Sequence, residues 1–491
     1  MHRISILPIL TLVLILTGCS GVKVDNPKQM NTLPDIYPDY IGVTIPVNIA
    51  PMEFAMSSDD YDAMSVIFKS SDGSEYEAQG DNSIDIDPDE WQQLLSGDSL
   101  MVTVRARKNG QWEAFREFPM YVMPDSIDYS IVYRLIAPSY QTYSRMGVYQ
   151  RQLSNMTETG TLRNTEVTNA CINCHTTCQG DPRRQSIHVR GKNGATLIVK
   201  DGELQACNTK IPDVTCGSAV YPYWHPSGNY IAYSTNVINQ MFHTTSADLM
   251  DTFDFNADVY VYDINKQAIL LSEALMDTTM FETNPAFSAD GKTLYFCRAK
   301  CEAMPDNIRT TRFDLCSVSF DPATGRIGSK VDTVICASRD SMSISMPRPS
   351  SDGRYLVYCK TDFGGIPVCH HEADLWILNL NTGESRLMTE VNSPDYCDAF
   401  HNWSSNNRWM VFGSRREDGT HTLPYFTYID KNGIGRKPFL LPQHNPKHFY
   451  AERMYSYNCV EFVTGPCNID SHEAADLLLS DERIQWKAER Q

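Results

Sequence analysis

Four segments of this chain repeat one local pattern, and that repeat limits the folds open to it. Each begins with a short lead: Tyr221-Pro222-Tyr223-Trp224, Asn284-Pro285-Ala286-Phe287, Met346-Pro347-Arg348-Pro349, and a weaker, Pro-less Ala399-Phe400-His401-Asn402-Trp403. A turn follows at Gly228, Gly291, Gly353 and Asn407, at spacings of 63, 62 and 54 residues. Beyond each turn runs an apolar strand, such as Tyr230-Ile231-Ala232-Tyr233 or Trp409-Met410-Val411-Phe412. In the first three, Asp258, Asp314 and Asp374 then open a further apolar strand. The glycines take a positive φ that other residues resist, and neighbouring Ser or Asp side chains bond the local backbone. A strand pair of this kind cannot cover its own faces, so copies stack around a ring. The pattern predicts an all-β chain whose larger part is a β-propeller. Less regular material over residues 130–210 and 425–462 brings the count to about six blades, with five or seven also fitting the length.

A separate small β domain precedes the ring. Over residues 33–128 the chain alternates apolar and polar positions, with hairpin turns at Asp72-Gly73 and Asn109-Gly110. One short helix is expected to start at Asp87, with Pro88 at its first position and Trp91, Leu94 and Leu95 on one face. Paired hairpins of this length suggest an immunoglobulin-like β-sandwich, although the Cys…Trp…Cys signature is absent. The propeller is placed at 129–465. At the far end, Ala474, Leu477, Leu478 and Ile484 have helical spacing, so 466–491 reads as a polar C-terminal helix or frayed tail.

Arg3 precedes an apolar run over residues 4–16, too short for a membrane span but suited to a signal peptide. It ends in Leu16-Thr17-Gly18-Cys19, which resembles a lipobox, so residues 1–19 read as a leader and Cys19 as the acylated, membrane-anchoring residue. By its resemblance to other lipoproteins, Ser20 after that Cys implies sorting to the outer membrane, facing the periplasm. Polar residues 20–32 read as a tether. The formal net charge is −18 with scattered Lys and Arg, which argues against a nucleic-acid partner, since that needs clustered basic charge. Export also allows disulfides among 14 of the 15 Cys, all but Cys19; Cys207 with Cys216 and Cys459 with Cys467 each close a short loop.

One motif carries chemistry. Cys171-Ile172-Asn173-Cys174-His175 is a Cys-x-x-Cys-His sequence, the attachment signature of c-type haem. Two thiols separated by two residues reach the two vinyl groups on one edge of a porphyrin, and the adjacent His lies beneath the iron. Haem c is therefore the expected cofactor. Two other readings stand beside it: a disulfide between Cys171 and Cys174, or a zinc site that adds Cys178. His188 is a candidate second iron ligand, with Met146 and Met156 as alternatives, and Arg190 could pair a propionate. His370-His371 reads as a loop pair. Asp254-Phe255-Asn256-Ala257-Asp258 has the start of a calcium-loop spacing but lacks the Gly that should follow, and reads as a solvated acidic loop.

The repeat segments look like the WD40-like repeats of TolB-type propellers. Residues 129–153, the Cys-Ile-Asn-Cys-His block, His188-Val189-Arg190-Gly191 and 221–228 together resemble a family of exported TolB-like propeller proteins often labelled cytochrome c-related. The resemblance covers about 129–462 and implies fold, envelope location and a haem. It also implies the alternative of a non-catalytic scaffold that holds an envelope protein partner on the propeller face. Gly-x-Ser-x-Gly, phosphate-loop and His-Glu-x-x-His motifs are absent.

Overall fold

The computed structural model describes residues 23–137, 146–167, 169–245, 248 and 250–491. The leader and Cys19 lie outside the described residues. The protein is mostly β, 48% strand and 7% helix, with an N-terminal mixed sheet followed by a six-bladed propeller.

The N-terminal part is a seven-stranded sheet, accompanied by a two-stranded ribbon of Ile36–Tyr37 and Ala55–Met56. Its long central strands, Tyr61–Ser70 and Ser99–Lys108, run antiparallel, while Thr44–Pro46 and Lys28–Gln29 join in parallel. Residues 28 and 29, within the expected tether, are thus bonded onto a sheet edge. The helix Pro88–Leu94 forms as expected, with the Asp87 carboxylate accepting from the Asp89 and Glu90 amides and Trp91 and Leu94 buried. This sheet shares one continuous core with blades five and six, where Val66, Phe68 and Trp91 join Val357, Trp409 and Phe426. Trp409 Nε1 also donates to the Asp125 carbonyl at 2.8 Å.

Each blade has its innermost strand on the axis. Blade two is Ile172–Cys178, Asp181–Val189, Ala195–Lys200 and Glu203–Asn208; the innermost strands of blades three to six are Ala219–Trp224, Met280–Phe287, Ser343–Pro349 and Asp398–Trp403. Blade one is assembled from both ends of the ring. Its outer three strands are Ser130–Ile136, Gly147–Gln152 and Glu158–Arg163, but its innermost strand is Ser456–Val463, some 300 residues later, and this strand closes the circle. The repeat turns have the expected chemistry. Ser288, Ser350 and Ser404 each donate Oγ–H to Asp290, Asp352 and Asn406 and accept the amide of Thr293, Tyr355 and Trp409. Gly291, Gly353 and Asn407 take positive φ.

Two further features depart from the expectation from sequence. The C-terminal helix forms over Ser471–Leu479, burying Ala474 and Leu478, but the chain beyond it does not fray. Ile484–Gln485 pairs in parallel with the outer strand of blade two, and Lys487–Arg490 does the same on blade three. Between them Trp486 stacks on Tyr262 at 3.9 Å between ring centres. The second departure is the expected acidic loop. Residues 254–258 are part of a long hairpin of Tyr230–Phe242 and Met250–Asp263 that extends blade three past its neighbours. Asp254 is buried there, and burial pushes its carboxyl up to about 7. Asp254 is a buried polar position on a paired strand, which has the same local sequence polarity as a solvated loop.

Removing Trp486 leaves an apolar void beside Tyr262 and frees the strap. We expect Trp486→Ala to cost about 3 kcal/mol, with an unchanged far-UV signal, measured by urea denaturation.

Candidate functional site

A single backbone feature recurs on all six innermost strands. Pairing slips by one residue, and the extra residue takes a left-handed φ: Cys459 (+52°), Cys174 (+48°), Tyr221 (+47°), Asn284 (+52°), Met346 (+52°) and Phe400 (+52°). A β-bulge bends the strand and re-aims the side chain. All six bulge residues ring a narrow waist of the axial channel, of about 40 Å³. Side chains other than Gly or Asn in this conformation carry strain of order 1–3 kcal/mol each, so the surrounding ring must hold them there.

The Cys-x-x-Cys-His motif falls on this bulge. Cys174 is the bulge residue of blade two, and His175 occupies the place filled by Pro222, Pro285 and Pro347 in blades three to five and by His401 in blade six. Proline suits that place because a bulged position need not donate to the ladder. The two histidines differ in their bonding. His401 donates Nε2–H to the Val357 carbonyl of blade five at 2.9 Å, tying two blades together. His175 is 5% exposed and faces the backbone of Val132 and Cys459, yet neither of its ring nitrogens makes a hydrogen bond of good geometry. Burial, with the Arg134 guanidinium nearby, pushes its imidazole down to about 4, so it is neutral.

Above the waist the channel opens into a cavity of about 600 Å³, within the range that takes a cofactor-sized ligand. Cys171, Cys174 and Cys459 all line it, together with Tyr221, Met346 and Phe400. The long hairpin of blade three forms one wall through Ile238, Gln240, Phe242, Met250 and Thr252. Three arginines line it, Arg134, Arg190 and Arg415, and no carboxylate is among the described lining residues. Arg134 is 8% exposed; it bonds the Asn173 side chain through one nitrogen, while its Nε has no partner. In a chain of net charge −18, this is a local concentration of positive charge that favours an anion. Burial raises the Cys171 thiol and pushes Cys459 up to about 12, so Cys459 is protonated at neutral pH.

The structure brings Cys171, Cys174 and His175 to one channel, and it separates them from the other residues expected beside them. His188 does not reach: it lies on the second strand of blade two, paired in register with Asn173 and Thr196, with Nδ1 3.0 Å from the Thr196 hydroxyl. It lines neither waist nor mouth. Met146 turns its sulfur to the Ile172 amide at 3.2 Å. Cys178 leaves the zinc reading incomplete, since its sulfur packs by the His225 carbonyl in another core cluster. Cys171 and Cys174 carry free thiols, and so do Cys207, Cys216, Cys459 and Cys467. Cys207 is buried among Tyr262 and Trp486, Cys216 faces Thr235, and Cys459 points to the channel while Cys467 sits in the blade-one core; the pairs proposed from loop length point apart.

Haem c was implied by the motif, and the residues present fit it. Two thiols open on one cavity, a neutral imidazole with unpartnered nitrogens borders the channel beside them, and cationic side chains face the same space. Met250 and Met346, which also line the mouth, escaped the sequence reading. The bulge alignment could have found Met346, because it follows the same register as Cys174.

No family model matches the chain, and no curated protein does. Among solved structures it is similar to oligogalacturonate lyase from Vibrio parahaemolyticus, at 9% identity over 62% of this chain and 92% of that one, TM-score 0.31. It is also similar to a DUF4784 family protein from Bacteroides caccae (7% identity, 72% and 95% covered, TM-score 0.30) and to Porphyromonas gingivalis dipeptidyl peptidase 4 (9%, 73% and 60%, TM-score 0.30). Scores at this level carry no residue correspondence, and the site rests on this chain's own side chains.

The two histidines of the bulge ring should respond differently to truncation in the protein without bound ligand. His401→Ala breaks an inter-blade hydrogen bond and leaves a void, and we expect a loss of about 2–3 kcal/mol. His175→Ala removes an imidazole that makes no such bond, and should cost about 1 kcal/mol less; paired chemical denaturation curves measure the difference.

Proposed function

We propose that this chain is a lipid-anchored envelope protein whose propeller would hold one c-type haem through Cys171 and Cys174, with His175 as a ligand to its iron. In this reading it carries electrons to or from a protein partner docked over the channel mouth. The observation that supports it most strongly is the convergence of both motif thiols and the unpartnered His175 ring on one axial channel. Such a haem would supply one-electron transfer.

The chain's own residues have distinct tasks. Cys171 and Cys174 would hold the group to the edge of blade two through their sulfurs. His175 stays neutral because it is buried, and a neutral imidazole is the form that ligates a metal. Arg134, Arg190 and Arg415 offer guanidinium groups for carboxylates at the mouth. Tyr221, Phe400 and Met346 form apolar walls that keep water from the waist, and the blade-three hairpin shields one side. Met250 and Met346 line the mouth and could supply a further ligand to the iron, which His188 does not reach. The lipid anchor on Cys19 and the outer-membrane location complete the proposal.

A second reading has a specific observation in its favour. His401 occupies the same place as His175 without any cysteine motif and acts as a contact between blades. A His at this position therefore has a structural use, and the chain could serve as a TolB-like docking ring with no cofactor.

The two readings separate in one experiment. Full-length protein expressed in a host competent in haem attachment is denatured and washed with acid acetone, and its visible spectrum is recorded. We expect a retained Soret band equivalent to one haem per chain, lost in Cys171→Ser and Cys174→Ser. Colourless wild-type protein would overturn the cytochrome reading.

A further inference from the structure

The long blade-three hairpin does not stand free. At its tip, Asp248 meets the loop of blade five that carries His370, His371 and Glu372. The His371 amide donates to Asp248 Oδ1 at 3.1 Å, and His371 Nδ1 lies 2.9 Å from the same oxygen. Glu372 Oε2 is 3.5 Å from His371 Nδ1. Oxygen and nitrogen atoms of these three side chains all fall within 4.8 Å of one another. In a tetrahedral zinc site with bonds of about 2.1 Å, ligand atoms stand about 3.4 Å apart; His371 Nδ1 and Glu372 Oε2 already have that spacing, and the Asp248–His371 pair, hydrogen-bonded at 2.9 Å, would open by about 0.5 Å to admit an ion.

We infer that Asp248, His371 and Glu372 form a site for a first-row divalent cation of the zinc class, which pins the blade-three hairpin to blade five over the channel mouth. Three features of the cluster support a metal over a simple ion pair. First, the ligands come from two segments 123 residues apart, so a bound ion ties elements that the backbone does not. Second, Glu372 is held for the task. Its other oxygen, Oε1, accepts from His370 Nδ1 at 3.0 Å and from the Asp362 amide at 3.2 Å, leaving Oε2 directed at His371. Outer partners of this kind orient metal-binding carboxylates. Third, Asp248 is buried while the His371 side chain is 55% exposed, so an ion and its remaining water ligand have a path in. One imidazole with two carboxylates suits zinc or its first-row neighbours, and disfavours calcium and magnesium, which take oxygen ligands.

The place of this cluster gives it a consequence. Residues between its arms, Phe242 and Met250 among them, form the wall of the mouth cavity. The hairpin is also braced lower down, where Asp251 meets His243 at 2.8 Å and Arg309 at 3.5 Å, and Arg309 lies over the Phe363 ring. A cation at the tip would set how firmly the mouth is covered, whatever the mouth contains. This inference does not depend on the haem proposal.

Cobalt(II) serves as the probe because its spectrum reports its ligands. Metal-free full-length protein is titrated with Co²⁺ and followed by visible absorption, with hydrogen exchange of the hairpin measured in parallel. The site predicts one equivalent bound with d–d bands and no thiolate-to-cobalt charge-transfer band. It also predicts at least 10-fold slower exchange over residues 237–253. His371→Ala and Glu372→Gln, both in a surface loop, should each weaken binding at least 30-fold. Cys171→Ser/Cys174→Ser should leave it unchanged. A thiolate band, or His371→Ala binding like wild type, would overturn the inference.

Discussion

A one-residue bulge on each inner strand decides which side chains face the channel. Six strands converge on one axis, and a regular ladder would carry their side chains along the blade faces. The one-residue slip at Cys174, Tyr221, Asn284, Met346, Phe400 and Cys459 turns a side chain of each into the channel. Left-handed backbone at non-glycine residues is unfavourable alone and persists where packing over-determines it. Here the packing comes from neighbouring blades on both sides and from the closure of blade one by Ser456–Val463. Fold and site are therefore one problem: the ring that pays for the strain is also what the strain lines.

Much of the ring was legible in the chain. The Ser-x-Asp-Gly turns at 288–291 and 350–353 and the apolar strands after them mark blades four and five by local chemistry alone, and the Asp87-Pro88 start of the helix is equally local. Blade one was not legible, because its inner strand comes from the opposite end of the propeller and no local pattern encodes a partner 300 residues away. The strap at 484–490 was missed for a related reason. Lys487-Ala488-Glu489-Arg490 has no apolar period, since an outermost strand needs only its backbone to pair.

The site was half legible. Spacing alone singled out Cys171, Cys174 and His175, and the structure sets them on one channel. The motif and the repeat were read separately, however, although Cys174-His175 is the blade-two copy of Tyr221-Pro222 and Phe400-His401. Cys174 stands where the repeats at 221, 284, 346 and 400 carry Tyr, Asn, Met and Phe, and His175 stands where three of them carry Pro, so a search for Pro leads passes over it. His188 drew attention by nearness in sequence, while its strand aims it at Thr196. Of the three arginines at the mouth, Arg190 is legible beside the motif as a partner for a carboxylate, whereas Arg134 and Arg415 are not, because only ring closure brings 134 and 415 to the same cavity.

We propose that the channel mouth of this propeller is built around the thiols of Cys171 and Cys174 as attachment points for a porphyrin. Mass spectrometry of the proteolytic peptide containing residues 171–175, from protein matured in an exporting host, tests it most directly. A porphyrin held by both sulfurs would appear as that peptide with the mass of one haem added. The same peptide carrying two free thiols, or a Cys171–Cys174 disulfide, would contradict it.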